Sequence, residues 1–203
     1  TSGAISVPIL NDALDENDET VVVSITSVVG GTLGSPATHT ITITDDDPTP
    51  TIQFDGTGCT VNEEDFLFWM PMRLSAPSGK PAVINFTINK ANTDTAINGV
   101  DYVMSTAPFS MSGCTTTEAS IPVLDDALDE DPETFVVTLE DSPSATAGAC
   151  KTYTVTINDN DPMPTVSIPQ SPVTVSENAG AAQLNAVLSA PSGRTVTVQY
   201  QGL

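Results

Sequence analysis

"LDDALDEDPETF" fills residues 124–135, between the apolar runs "ASIPVL" (119–124) and "FVVTL" (135–139), and six of its twelve positions are Asp or Glu. Like charges gathered this closely repel, so the stretch calls for a positive partner that the sequence itself does not supply. Its flanks read as strands, which places the acids on a loop at a strand end.

The stretch has a copy. "LNDALDENDETV" stands at residues 10–21, and Asp125 follows Asn11 by 114 residues. At the same offset "TDDDPTPTI" (44–52) becomes "NDNDPMPTV" (158–166), "VNEE" (61–64) becomes "VSEN" (175–178), and "LSAPSGK" (74–80) becomes "LSAPSGR" (188–194). A fixed period of this length marks an array of domain-sized units rather than a solenoid. Residues 50–163 make one complete unit, 1–49 the rear part of a preceding unit, and 164–203 the front of another. Each partial unit is expected to leave apolar faces and strand edges open. Continuation of the array is the preferred way to cover them, with front-to-rear docking between copies in a fibre as the alternative.

Composition narrows the function. With 26 acidic residues against 5 Lys plus Arg, the formal charge of −21 opposes a phosphate backbone and an anionic bilayer. No nucleic-acid partner and no membrane insertion are expected in this window. An apolar content of 39% in alternating runs argues against disorder. Residues 1–30 show no charged start followed by an apolar core, so no signal or anchor is read there.

The periodicity is that of strands. "TVVVSIT" (20–26), "THTITITD" (38–45), "TFVVTLE" (134–140), "KTYTVTIND" (151–159) and "TVTVQY" (195–200) alternate or run with β-branched and aromatic residues between Gly, Pro, Ser and Asp clusters. No helix is predicted. About seven strands at short spacing within residues 50–163 give an all-β, two-sheet sandwich. The prolines of "DDDPTP" and "DNDPMP" read as stiff linkers between units.

"VNEE", "NGVDYV", "IPVLDDALDEDPETFVVTL" and "YTVTINDNDP", in that order within one unit, resemble the Calx-beta domain, an immunoglobulin-like sandwich of sodium/calcium exchangers and of large surface proteins. The resemblance implies tandem immunoglobulin-like β-sandwiches and a bound Ca²⁺. Matched position by position, it implies ligands at Glu63, Asp101, Asp125, Asp126, Glu130, Asp159 and Asp161, with Asn160 standing where another acid is usual. Calcium suits such a set because it takes roughly six to eight oxygen ligands from loops of uneven shape. In the preceding unit the counterparts are Asp12, Glu16, Asp45, Asp46 and Asp47, with Asn11 in place of the first loop acid; in the following unit only Glu177 remains. Asn160 is expected to ligate through its carbonyl oxygen.

Other residues carry lesser expectations. Cys59, Cys114 and Cys150 have no C-x-x-C spacing and do not recur with the period, which excludes a zinc or redox motif. One disulfide and one leftover thiol are expected of an extracellular domain, with an intermolecular bond of the third cysteine, or buried reduced cysteines, as the alternatives. In "FLFWMPMRL", Phe68, Met70, Met72 and Leu74 are assigned to the core and Trp69, Pro71 and Arg73 to the surface, where Trp69 offers contact to a neighbouring domain or a glycan. "NFT" at Asn85 is a glycosylation sequon. Catalysis has little to build on, with a single His39 and neither a nucleophile elbow nor a phosphate loop. The expected function is a calcium-stiffened structural or adhesive segment of a large extracellular or cell-surface protein, with neighbouring repeats, further copies, glycans or other surface proteins as partners. The alternative is a regulatory calcium sensor of the exchanger kind.

Overall fold

The structure, a computed structural model, describes residues 2–88, 94–105, 107–170 and 172–202. Its strands in chain order are β1 (Glu19–Ser24), β2 (Thr38–Ile43), β3 (Thr51–Phe54), β4 (Gly58–Asn62), β5 (Leu67–Leu74), β6 (Ala82–Ile88), β7 (Phe109–Met111), β8 (Thr116–Pro122), β9 (Glu133–Glu140), β10 (Thr146–Ala147), β11 (Thr152–Asn158), β12 (Val166–Ser167) and β13 (Val187–Leu188). Between residues 50 and 163 they form two sheets, of order β10-β3-β5-β8 and β4-β11-β9-β6-β7. Beyond these lie the antiparallel pairs β1-β2 and β12-β13.

Alternation builds the sandwich. Along β5, Phe68, Met70, Met72 and Leu74 are buried while Trp69 is 55% exposed and Arg73 faces solvent, as the period of two requires. Phe135, Val137 and Leu139 of β9 and Tyr153, Val155 and Ile157 of β11 meet them from the opposing sheet. Each such side chain stabilises the fold by roughly 1.5–3 kcal/mol on burial. Aromatic rings tie the layers together: Tyr102 stacks on Phe135 at 3.8 Å between centroids, and Phe68 tilts against Phe135 at 6.4 Å.

Nine strands occupy this region among the described residues, against about seven expected. The leading strand accounts for part of the difference because it changes sheets. β3 pairs antiparallel with β5, the chain breaks at residues 55–57, and β4 then pairs parallel with β11. Gly58 permits the second pairing, since a Cβ there would sit 2.2 Å from the Thr154 carbonyl oxygen. The three-residue β7 and two-residue β10 are too short to show a period in sequence.

The topology also fixes one functional pole. Because β4 and β11 run parallel, Asn62 pairs with Asn158, and the residues that follow, Glu63 and Asp159, leave the sheet together. β9 runs antiparallel to β11, so Glu133 at its start lies opposite Ile157 at the same end. β8 ends there too, at Pro122 opposite Leu67.

Two expectations are corrected. Residues 195–200 lie in no strand: their counterpart β6 is held between β9 and β7, and no such partner accompanies 195–200 among the described residues. Cys59, Cys114 and Cys150 are all free thiols rather than one bridge and one leftover. Cys59 lies within β4, where burial pushes its thiol pKa up and its sulfur accepts from the Tyr153 hydroxyl. Apart from two 3-10 turns, Glu63–Asp65 and Glu177–Ala179, no helix is described, and none is long and apolar enough to cross a membrane.

Candidate metal centre

Four segments deliver carboxylates to this pole. After β4 the chain enters the turn Glu63–Asp65, which Asp65 closes by accepting the Asn62 amide at 2.7 Å; Phe66 leaves it with a φ of 57°. That turn folds Glu63 inward to 6% exposure. Asp101 sits in a loop held by its own carboxylate, which accepts the Ile97 amide, and by Asn98, which donates to the Met104 carbonyl at 2.8 Å and accepts its amide at 3.1 Å. The Asp101 carbonyl accepts the Leu124 amide at 2.9 Å, which ties this loop to the acidic stretch. Its neighbour Tyr102 is fully buried against Phe135, so the Asp-Tyr pair sends one side chain to the pole and the other to the core.

In the acidic loop, Asp126 accepts the Leu128 amide at 2.7 Å in a tight turn of the kind Asp favours. After β11, Asp159 accepts the Asp161 amide at 3.1 Å. These bends bring together two carboxylate triads, Glu63–Asp159–Asp161 and Asp101–Glu130–Glu133, each with one oxygen per residue within 4.8 Å of the others.

The electrostatics are those of a site short of positive charge. Burial first, and then the charges of Asp159, Asp126, Glu130 and Asp125, push Glu63 up to about 7. Glu133 also rises to about 7, through burial, its hydrogen bond with Asp101 and the charges of Asp101 and Glu130. Glu130 and Asp161 shift upward for the same kinds of reason. Within the first triad, Glu63 Oε2 and Asp161 Oδ2 are buried without a hydrogen-bond partner. A buried carboxylate oxygen so placed is costly unless a proton or a cation reaches it.

Five of the seven carboxylates expected from sequence, Glu63, Asp101, Glu130, Asp159 and Asp161, enter the triads. Asp125 and Asp126 remain exposed beside them. Asn160 turns its amide nitrogen to Asp125 Oδ1 at 2.9 Å, which bridges the loop to the chain after β11. Glu133 is a further member that sequence reading passed over, because the "ET" pair reads as the start of a strand. Its spacing three residues after Glu130 is the available signal. In the first unit, Asp12, Glu16, Asp45, Asp46 and Asp47 form no triad among the described residues; Asp45 lies 3.4 Å from the Lys80 ammonium. Glu177 is exposed in its turn.

An all-oxygen, all-carboxylate set with orphaned buried oxygens fits a hard divalent cation such as Ca²⁺ and suits neither Zn²⁺ nor copper. Comparisons with known proteins bear on the wider setting. The family model of the Calx-beta domain matches residues 1–47, 45–161 and 159–202. The chain is 27% identical to extracellular matrix protein 3 of Lytechinus variegatus over 177 residues, 84% of this chain and 6% of that protein. It is likewise 27% identical to the mouse extracellular matrix organizing protein FRAS1 over 191 residues, 88% of this chain and 5% of that protein. Among solved structures, the apo form of the Calx CBD1 domain superposes with a TM-score of 0.50 at 23% identity, covering 56% of this chain and all of that one.

Proposed function

The chain belongs to the Calx-beta domain family, whose members are non-enzymatic binding and structural domains, and on that premise we propose that it is a calcium-binding repeat segment of a large extracellular or cell-surface protein. The observation that carries the calcium reading is the pair of buried, unpartnered oxygens, Glu63 Oε2 and Asp161 Oδ2, where the chain after β4 meets the chain after β11 beside the acidic loop. Glu63, Asp159 and Asp161 hold one ion and Asp101, Glu130 and Glu133 a second, with Asp125 and Asp126 at the rim. Two divalent ions offset about four of the charges gathered there. The extracellular setting rests on the two matrix relatives, of which this chain spans only a twentieth or so. Tandem sandwiches joined by stiff proline linkers form a rod, and neighbouring repeats or further copies in a fibre are its partners.

Ions that bind only the folded state stabilise it by mass action, by about 2.7 kcal/mol at one hundred times the dissociation constant. Calcium titration by calorimetry should therefore give a saturable signal in the 203-residue chain, and a chelator should lower its melting temperature. Absence of binding heat at millimolar calcium, together with unchanged melting in chelator, would overturn the reading.

A further inference from the structure

Lys80 and Arg194 are two of only five cationic residues in the chain, and they occupy the same position of consecutive units. Each faces a buried aspartate of the preceding unit. Lys80 Nζ lies 2.7 Å from Asp15 Oδ1, and Arg194 Nη1 lies 2.6 Å from Asp129 Oδ1, with the two aspartates 4% and 3% exposed.

The rest of the contact repeats atom for atom. Ser78 Oγ sits 3.2 Å from the Asp15 carbonyl oxygen and 3.3 Å from its Oδ2; Ser192 Oγ sits 3.2 Å and 3.0 Å from the same atoms of Asp129. The Gly79 and Gly193 amides each donate to the aspartate carbonyl at 3.1 Å. The Lys80 and Arg194 amides donate back to the serine hydroxyls at 3.1 Å, which makes each turn rigid in the docked shape. The joints differ at the cation and its further acceptors: Lys80 also reaches Asp45, whereas Arg194 Nη2 donates to the Glu130 carbonyl and its Nε lies 2.9 Å from Asp131 Oδ1, where the first joint has Asn17. A point ammonium and a planar fork find different second acceptors around one shared anchor.

We infer that the Pro-Ser-Gly-cation turn of each repeat, residues 77–80 and 191–194, is a docking key for the buried aspartate in the acidic loop of the preceding repeat. This joint sets the angle between repeats by backbone, hydroxyl and ion-pair contacts that include none of the triad carboxylates. Asp15 and Asp129 are buried because the next repeat covers them, and their charge is neutralised from across the boundary. The partner surface is thus the next unit of the same array, and the recognised chemistry is a serine hydroxyl, a glycine amide and one cation in a fixed turn. The inference goes beyond calcium binding and stands without it.

Amide hydrogen exchange of the 203-residue chain, followed by NMR in chelator, tests the joint directly. The Gly79 and Gly193 amides should exchange at least about tenfold more slowly than amides of open loops. Arg194→Glu should remove the protection of Gly193 and leave Gly79 protected, Lys80→Glu should do the converse, and Val155 in the core should stay protected in both. Lys80→Arg and Arg194→Lys, each importing the cation of the other joint, should retain protection. Unprotected glycines in the chelated wild-type chain, protection that survives the charge reversals, or loss at both glycines from one reversal would overturn the proposal.

Discussion

The acidic loop at residues 10–21 and its copy at 124–135 have nearly the same sequence and the same tight turn, but differ in the carboxylates gathered around them. In the second, Glu130 joins Asp101 and Glu133, and Asp161 joins Glu63 and Asp159. In the first, Glu16, Asp45 and Asp47 form no such group among the described residues, and Asp45 faces Lys80 instead. Residues 1–49 hold no position matching Glu63 or Asp101, so the comparison concerns the loop and the closing triplet alone. What it teaches is that the motif is not the site. Four segments must converge before the carboxylates crowd closely enough to need an ion, and a cation from the next repeat can divert one of them.

Asp161 and Asp47 are the sharpest matched pair, since both are shifted upward by burial and neighbouring acids, while only Asp161 has an orphaned oxygen within a triad. Asp161→Asn should weaken calcium binding by at least about tenfold, the scale set by loss of one charged ligand. Asp47→Asn should leave the central affinity within about twofold by the same reasoning. In chelator the sign should invert, with Asp161→Asn melting higher than wild type because one of several repelling charges is gone. Calorimetric titration beside a melting curve checks both halves. Equal effects of the two substitutions would erase the distinction between the poles.

A proton offers a second way to fill the site. Glu63 and Glu133 rise from an ordinary 4.5 to about 7 on folding. A carboxyl with a raised folded pKa holds its proton to higher pH than the unfolded chain does, so the folded state binds more protons between 4.5 and 7. Stability from these groups is then full below pH 4.5 and is lost as pH rises through about 7. In chelator the melting temperature of the central sandwich should fall across that window. With saturating calcium the decline should flatten, since the ion takes the place of the protons and binds best once they have left. A chelated chain whose stability climbs steadily from pH 4.5 to 7 would show that these two glutamates do not carry the repulsion.

Much of the sandwich was legible because burial forces the pattern. The alternation of β5 put Phe68, Met70, Met72 and Leu74 inside and Trp69 outside, and the resemblance to the Calx-beta domain picked out five of the triad members. Residues 195–200 show where pattern fails: "TVTVQY" alternates as well as any strand, but a strand exists only where another backbone takes its hydrogen bonds. The sheet switch at residues 55–57 was hidden because the Asp-Gly-Thr-Gly of residues 55–58 interrupts a strand without showing which sheet the chain continues in. Glu133 was missed because a residue at a strand start can face the loop pole as readily as the sheet. Lys80 and Arg194 were visible as repeated cations, yet only the fold reveals Asp15 and Asp129 beneath them.

The smallest expected effect crosses a repeat boundary, and it follows from the glycines of the two docking turns. An added Cβ at Gly193 would lie 2.4 Å from Glu130 Oε1 and 2.8 Å from its Cγ; at Gly79 it would lie 2.7 Å and 2.8 Å from the matching atoms of Glu16. Neither glycine is in the left-handed region, so the backbone tolerates alanine and the glutamate must move. At the first joint this displaces a side chain that belongs to no triad, and Gly79→Ala should leave calcium binding as it was. At the second joint the displaced group is Glu130, which has to stay beside Asp101 and Glu133. Gly193→Ala, a substitution in the third unit, should therefore weaken calcium binding in the second by about threefold, less than loss of a ligand because a flexible glutamate recovers part of its geometry. Calorimetric titration of the two alanine variants side by side reads the difference. Were Gly79→Ala to match Gly193→Ala, the effect would belong to the joint in general, and Glu130 would lose its place as the residue that the metal site and the next repeat share.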